Sequence, residues 1–151
     1  MKVLFVCRSN AERSQIAEAI FNRLSKRNRA VSAGVAVKEN EIGLPPGRIV
    51  SELMLGAGYQ NFLRLRRKQI TEGMLSKADM IVVLMWRSER KQLTPKYLHL
   101  DGKRVSYWKL GTGRLLPKDV YDSFPPYTYK YHAEWIFDIE AHVKRLVREI
   151  R

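Results

Sequence analysis

Cys7 is the only cysteine of the chain, and five residues separate it from Arg13 in the segment Val6-Cys7-Arg8-Ser9-Asn10-Ala11-Glu12-Arg13-Ser14. A lone cysteine after a buried strand is commonly an inert core residue, but here the neighbours point to chemistry. A short loop between a strand end and a helix start can turn the backbone N–H groups of Arg8, Ser9, Asn10, Ala11, Glu12 and Arg13 inward as an anion-binding nest. The positive end of the helix reinforces that nest. The planar fork of Arg13 can grip two oxygens of a tetrahedral oxyanion. The same field favours the thiolate of Cys7, which would then sit under a bound phosphorus as a nucleophile. Ser14 could donate a hydrogen bond to that thiolate and stabilise it later as a leaving group. Asn10 tolerates the positive φ that so tight a curl requires.

These groups need a strand before them and a helix after them, and both are legible. Val3-Leu4-Phe5-Val6 is a continuous apolar run of the kind buried on both faces of a parallel sheet. Ile16, Ala17, Ile20 and Leu24 then recur at helical spacing, with Glu18, Asn22 and Arg23 read as the polar positions between them. The basic run Arg23 to Arg29 closes that helix against the negative end of its dipole. Ala30 to Gly34 reads as a second strand, and Ile49, Val50, Leu53 and Met54 as a helical face ending at Gly56-Ala57-Gly58. Asn61 to Gln69 has no clear period. A short helix is expected after Thr71, a third strand over Met80 to Met85, a polar helix over Trp86 to Leu93 and a fourth strand over Val105 to Trp108. Gly111 to Pro126, rich in Gly, Pro and Asp, reads as a long loop of the sort that carries function. Tyr131, Trp135, Ile139, Val143, Leu146 and Ile150 line one face of a terminal helix. The alternation predicts an α/β fold, a three-layer sandwich with a four-stranded parallel sheet and helices on both faces. The phosphate-binding loop follows the first strand.

The 151 residues fit one domain spanning 1–151. A composition 45% hydrophobic and 28% charged argues against a disordered or fibrous chain. The net charge of +13 is the outlying number and predicts attraction to polyanions. One cysteine excludes an internal disulfide framework and a multi-cysteine zinc site, and suits a reducing cytoplasm. No apolar stretch is long enough to span a bilayer, and the run before Arg8 is too short for the core of a secretory signal.

The segment VLFVCRSNAERSQIAEAI resembles the phosphate-binding loop of the low-molecular-weight protein tyrosine phosphatases and of the arsenate reductases built on the same fold. The resemblance continues through Ser32-Ala33-Gly34, through RKQITEGMLSKADMIVVLM and into the terminal helix. It implies a two-step reaction without metal or cofactor. Cys7 attacks phosphorus, the loop amides and Arg13 hold the equatorial oxygens, and a late-loop aspartic acid protonates the leaving oxygen. The family pattern there is Asp-Pro-Tyr, whereas this chain has Asp119-Val120-Tyr121 and Asp122-Ser123-Phe124. Counting back from the terminal helix favours Asp122, with Asp119 the alternative. The implied substrate is a phosphotyrosine-containing protein or a small aryl phosphate, and inorganic phosphate is the product.

Several departures from the family pattern bear on the reading. Glu12 replaces a frequent second cysteine, so no protective disulfide with Cys7 can form; its carboxylate is expected to point outward into solvent. Arg8, at the loop's second position, either favours an acidic substrate at the pocket mouth or is solvated surface. Gln15 stands where proline is frequent, and Ser14-Gln15 is similar to the arsenate reductases. Tyr127 and Tyr129 could wall a substrate pocket as aromatic residues or simply pack against the loop, and Trp86 could border it, with core packing the expected role. His99, His132 and His142 share no ligand spacing and are read as ordinary surface or helix-face residues. Two other functions compete with the phosphatase reading. An arsenate reductase would need external thiols, and a non-catalytic phosphate- or nucleic-acid-binding module would rest on the charge without a stacking motif.

Overall fold

The computed structural model describes residues 1–85, 104–108, 110 and 129–150, the first three residues of the last segment by their backbone only. Four strands, β1 (Lys2–Cys7), β2 (Arg29–Gly34), β3 (Met80–Val83) and β4 (Arg104–Tyr107), form one sheet in the order β2-β1-β3-β4. All pairings are parallel; Val3 is opposite Ala30 and Met80, and Val6 is opposite Ala33 and Val83. The chain thus places β2 on one side of β1 and β3 on the other. The loop after β1 therefore opens at the point where the strand order reverses, the usual ligand crevice of such sheets.

The central strands are apolar throughout because both faces are covered. On one face Val3, Phe5, Met80 and Val82 pack against α1 (Arg13–Leu24), α2 (Arg48–Gly56) and the terminal helix, here α4 (Tyr129–Glu149). On the other face Leu4, Val6, Ala33, Ile81 and Val83 meet Ala78, Met74 and Leu75 in and beside α3 (Glu72–Lys77). Phe5 sits 5.8 Å from Phe21 and 5.6 Å from Trp108, ring centre to ring centre, and these contacts tie β1 to α1 and to the end of β4. Such aromatic pairs contribute about 0.5–1.5 kcal/mol beyond the area they bury.

The helix boundaries follow local chemistry. Thr71 caps α3, its hydroxyl accepting from the Met74 amide at 3.1 Å. Two short 3-10 helices, Glu39–Glu41 and Gln60–Arg64, fill stretches with no clear sequence period. In α1 the buried face is wider than the spacing predicts. Every residue from Ser14 to Phe21 is buried, Glu18 included, while Leu24 is partly exposed. The expected helix over 86–93 and the loop over 111–126 lie outside the described residues. Among the described residues, no helix is long and apolar enough to cross a membrane.

Candidate active site

Cys7 ends β1 fully buried, and its sulfur is already engaged by the loop that follows. The Asn10 amide donates to Cys7 Sγ at 3.2 Å, and Ser14 Oγ lies 2.9 Å from the same sulfur. The amide can turn back on the sulfur because Asn10 has φ 52°, the only positive φ among the described non-glycine residues. Three side-chain bonds hold that conformation. Asn10 Nδ2 donates to Ser14 Oγ at 2.8 Å and to Ser32 Oγ at 3.0 Å, while Oδ1 accepts from the Lys68 amide at 2.8 Å. Together they offset the ~1–2 kcal/mol that a left-handed conformation costs a residue with a Cβ.

Behind this cluster lies a buried carboxylate. Ser32 Oγ donates to Glu18 Oε2 at 2.5 Å, and the Lys68 ammonium stands 3.9 Å from the same oxygen. Burial pushes the Glu18 carboxyl above its usual range, although the Lys68 charge and the Ser32 hydrogen bonds pull the other way. The network therefore runs from Cys7 through Ser14, Asn10 and Ser32 to Glu18 and Lys68.

The loop is also fastened from outside. Val35 N donates to Cys7 O at 3.0 Å and Ala36 N to Arg8 O at 2.8 Å. Gly34 permits this approach, since a Cβ there would lie 2.8 Å from both Arg8 O and Asn10 N. On the other side His132 of α4, buried among the helices, reaches Glu12 Oε1 with Nε2 at 3.0 Å. One turn further along α4, Trp135 stacks under Arg13, the guanidinium carbon 5.6 Å from the ring centre. The cation–π contact holds Arg13 at the first position of α1.

The sequence matches the family model described as low molecular weight phosphotyrosine protein phosphatase over residues 2–150. The chain belongs to this family. No curated protein matches it. Among solved structures, it is similar to Vibrio vulnificus Wzb in complex with benzylphosphonate, with TM-score 0.79 and 20% identity over 99% of this chain and 98% of that one. The low molecular weight protein tyrosine phosphatase of T. tengcongensis matches with TM-score 0.75 and 26% identity over 99% of both chains. The YwlE arginine phosphatase from Geobacillus stearothermophilus matches with TM-score 0.74 and 17% identity over 99% of this chain and 92% of that one. The low molecular weight phosphatase family therefore accounts for the whole described sheet and its helices.

Within this phosphatase fold, hydrogen bonds bring Cys7, Asn10 and Ser14 together. Arg8 is exposed at the loop's outer side, and Ser9, Ala11, Glu12 and Arg13 are partly buried. Asp119, Asp122, Tyr127 and Trp86 lie outside the described residues, as does the side chain of Tyr129. Two expectations are corrected. Glu12 does not simply point into solvent, because His132 offers it a hydrogen bond from α4. His132 is not a surface residue; it is 2% exposed, with Nε2 3.0 Å from Glu12 Oε1. Sequence reasoning missed Glu18, Ser32 and Lys68. Glu18 gave no signal of its own, because Ser14 and Asn22, four positions before and after it on the same helical face, are polar as well.

Proposed function

We propose that the protein is a protein-tyrosine phosphatase that works through a phosphocysteine intermediate. The observation that carries this reading is the pair of hydrogen bonds, from the Asn10 amide and with Ser14, that converge on Cys7 Sγ. Both favour a sulfur that carries negative charge. In the first step Cys7 Sγ attacks phosphorus, the S–P bond forms as the bond to the tyrosyl oxygen breaks, and Asp122, or Asp119, gives that oxygen its proton. The loop amides of residues 8–13 and the Arg13 guanidinium hold the equatorial oxygens as charge builds on them. In the second step the same aspartate takes a proton from water, the water oxygen bonds to phosphorus, and the S–P bond breaks. Ser14 stabilises the departing thiolate and inorganic phosphate leaves. No step calls for a metal or cofactor.

Arg8 at the mouth and the aromatic residues Tyr127 and Tyr129 support an aryl phosphate flanked by acidic residues. An arsenate reductase would have to hand its oxidation to an outside thiol, because the chain has no cysteine besides Cys7. That unpaired thiol also fits a cytoplasmic location. The test is hydrolysis of p-nitrophenyl phosphate, a phosphotyrosine peptide and a phosphoarginine peptide by the wild type and Cys7→Ser. The reading expects turnover of the first two, little of the third, and none with Cys7→Ser. Retained turnover in Cys7→Ser overturns the mechanism, and a preference for phosphoarginine overturns the substrate. Comparing Asp122→Ala with Asp119→Ala on a poor leaving group identifies the acid as the one whose loss slows the reaction more.

A further inference from the structure

A cavity of about 450 Å³ lies between the first half of β2 and α3, away from the thiol. The two elements differ in length. Six residues of helix cover about 9 Å, whereas six residues of strand extend about 20 Å, so α3 leaves part of β2 uncovered. Val31 is 44% exposed there, and Met74 forms the facing apolar wall. Lys2, Arg29, Lys68 and Lys77 line the same cavity, and among the described residues no lining residue is acidic or aromatic. An aliphatic floor under a cationic rim matches a ligand with a flexible apolar chain and one negative end.

Lys68 belongs to both this cavity and the network beneath the thiol. Its ammonium stands 3.9 Å from Glu18, its amide donates to Asn10 Oδ1 at 2.8 Å, and its carbonyl accepts from Gly34 N at 2.8 Å. We propose that the cavity binds an aliphatic chain carrying a single anionic head group, and that its occupation is coupled to the phosphate loop through Lys68. The anionic head competes with Glu18 for the ammonium. Deprived of its cation, the buried Glu18 carboxyl favours its protonated form and no longer requires Ser32 as a donor. Asn10 then loses the fixed acceptor that orients its amide, and the loop's grip on a tetrahedral anion weakens. Reciprocity requires that an anion in the loop weaken binding in the cavity by the same factor.

The coupled half rests on the phosphatase reading, so binding and hydrolysis are measured separately. Titration calorimetry on the full chain uses octanoate below its micellar range, with acetate as the head alone and 1-octanol as the chain alone. The proposal expects saturable one-to-one binding of octanoate only, lost in Val31→Asp and in Lys77→Glu, both of which hydrolyse p-nitrophenyl phosphate as the wild type does. Saturating octanoate should weaken vanadate affinity about fivefold in the wild type and leave it unchanged in the two variants. Several results overturn the site: no saturable binding, binding kept in both variants, or complete mutual exclusion with vanadate, which places octanoate in the loop itself. Binding confined to anionic phospholipid vesicles assigns the face to a membrane surface and also overturns it. Octanoate binding with vanadate affinity unmoved overturns the coupling. Because vanadate and octanoate binding need no substrate, an enzyme that fails to hydrolyse phosphotyrosine leaves the cavity test intact.

Discussion

Ser14 has one hydroxyl proton, and its neighbours decide where that proton goes. The Lys68 amide fixes Oδ1 of Asn10 as the acceptor, so Asn10 Nδ2 is the atom that donates to Ser14 Oγ. With one lone pair so occupied, Ser14 presents its proton to a Cys7 thiolate at 2.9 Å. Removing it with Ser14→Ala takes away a hydrogen bond to a charged group, about 1.5–3 kcal/mol, and is expected to lower kcat about 10–100-fold with little change in KM. Steady-state kinetics on p-nitrophenyl phosphate check this, and an unchanged kcat would remove Ser14 from leaving-group stabilisation. Glu18 makes a second prediction. Its carboxyl is raised above its ordinary value of 4.5 in the folded chain, chiefly by burial. The folded protein therefore holds that proton more tightly than the unfolded chain does. Its contribution to stability is full below the ordinary value and declines as pH rises through the raised folded value. In urea unfolding between pH 4 and 7, the stability of the wild type relative to Glu18→Gln should fall as pH rises. A difference that grows with pH contradicts a raised carboxyl.

Elements bring these residues together, and they differ in how plainly the sequence declares them. The strands β1 and β3 are legible because a continuous apolar run has one comfortable place in an α/β fold, between two covered faces. The connection from β1 to α1 was legible because an apolar run and a helical face flank one short polar segment. Glu18 was not, since a buried carboxylate is stable only with partners, and Ser32 and Lys68 arrive from other elements. Glu12 with His132 is the same case at greater range, 120 residues apart in the chain. Periodicity along one helix cannot report a partner on another, which is also why Leu24 was assigned to the buried face although α1 ends at the sheet's margin with that side chain partly exposed. Gly34 shows how an element's end can control the site. A methyl there collides with backbone atoms of Arg8 and Asn10 at 2.8 Å, and Gly34, held in β2, cannot swing aside as a side chain can. Gly34→Ala should leave the far-ultraviolet circular dichroism native but shift the loop. Displacements near 1 Å at such sites cost about 100-fold in rate, so kcat/KM should fall by about that factor with weaker vanadate inhibition. Wild-type kinetics in this variant would mean that the loop does not depend on that close approach.

At the scale of the molecule, the +13 charge is far more than one phosphate group needs. Lys68 stands 3.9 Å from Glu18, which offsets its charge at a distance, whereas the Trp135 ring beside Arg13 is neutral and leaves that charge in the field. Exposed cations such as Arg8 at the loop are the ones a substrate meets first. If the excess serves catalysis, it does so by steering, which acts on the whole charge of an approaching molecule and is screened by salt. The Debye length shrinks from about 30 Å at 0.01 M to about 8 Å at physiological ionic strength. An acidic phosphotyrosine peptide carries several charges into this field, whereas p-nitrophenyl phosphate carries only its phosphate. Raising salt from about 0.01 to 0.3 M should therefore lower kcat/KM for the acidic peptide at least about tenfold. The small ester and a neutral-flanked peptide, each carrying only its phosphate charge, should both lose much less. The effect belongs in kcat/KM rather than in kcat, because steering ends once the complex has formed. Equal salt dependence for all three substrates would detach the charge from substrate capture, and the basic surface would then have to be explained by a partner other than the phosphopeptide.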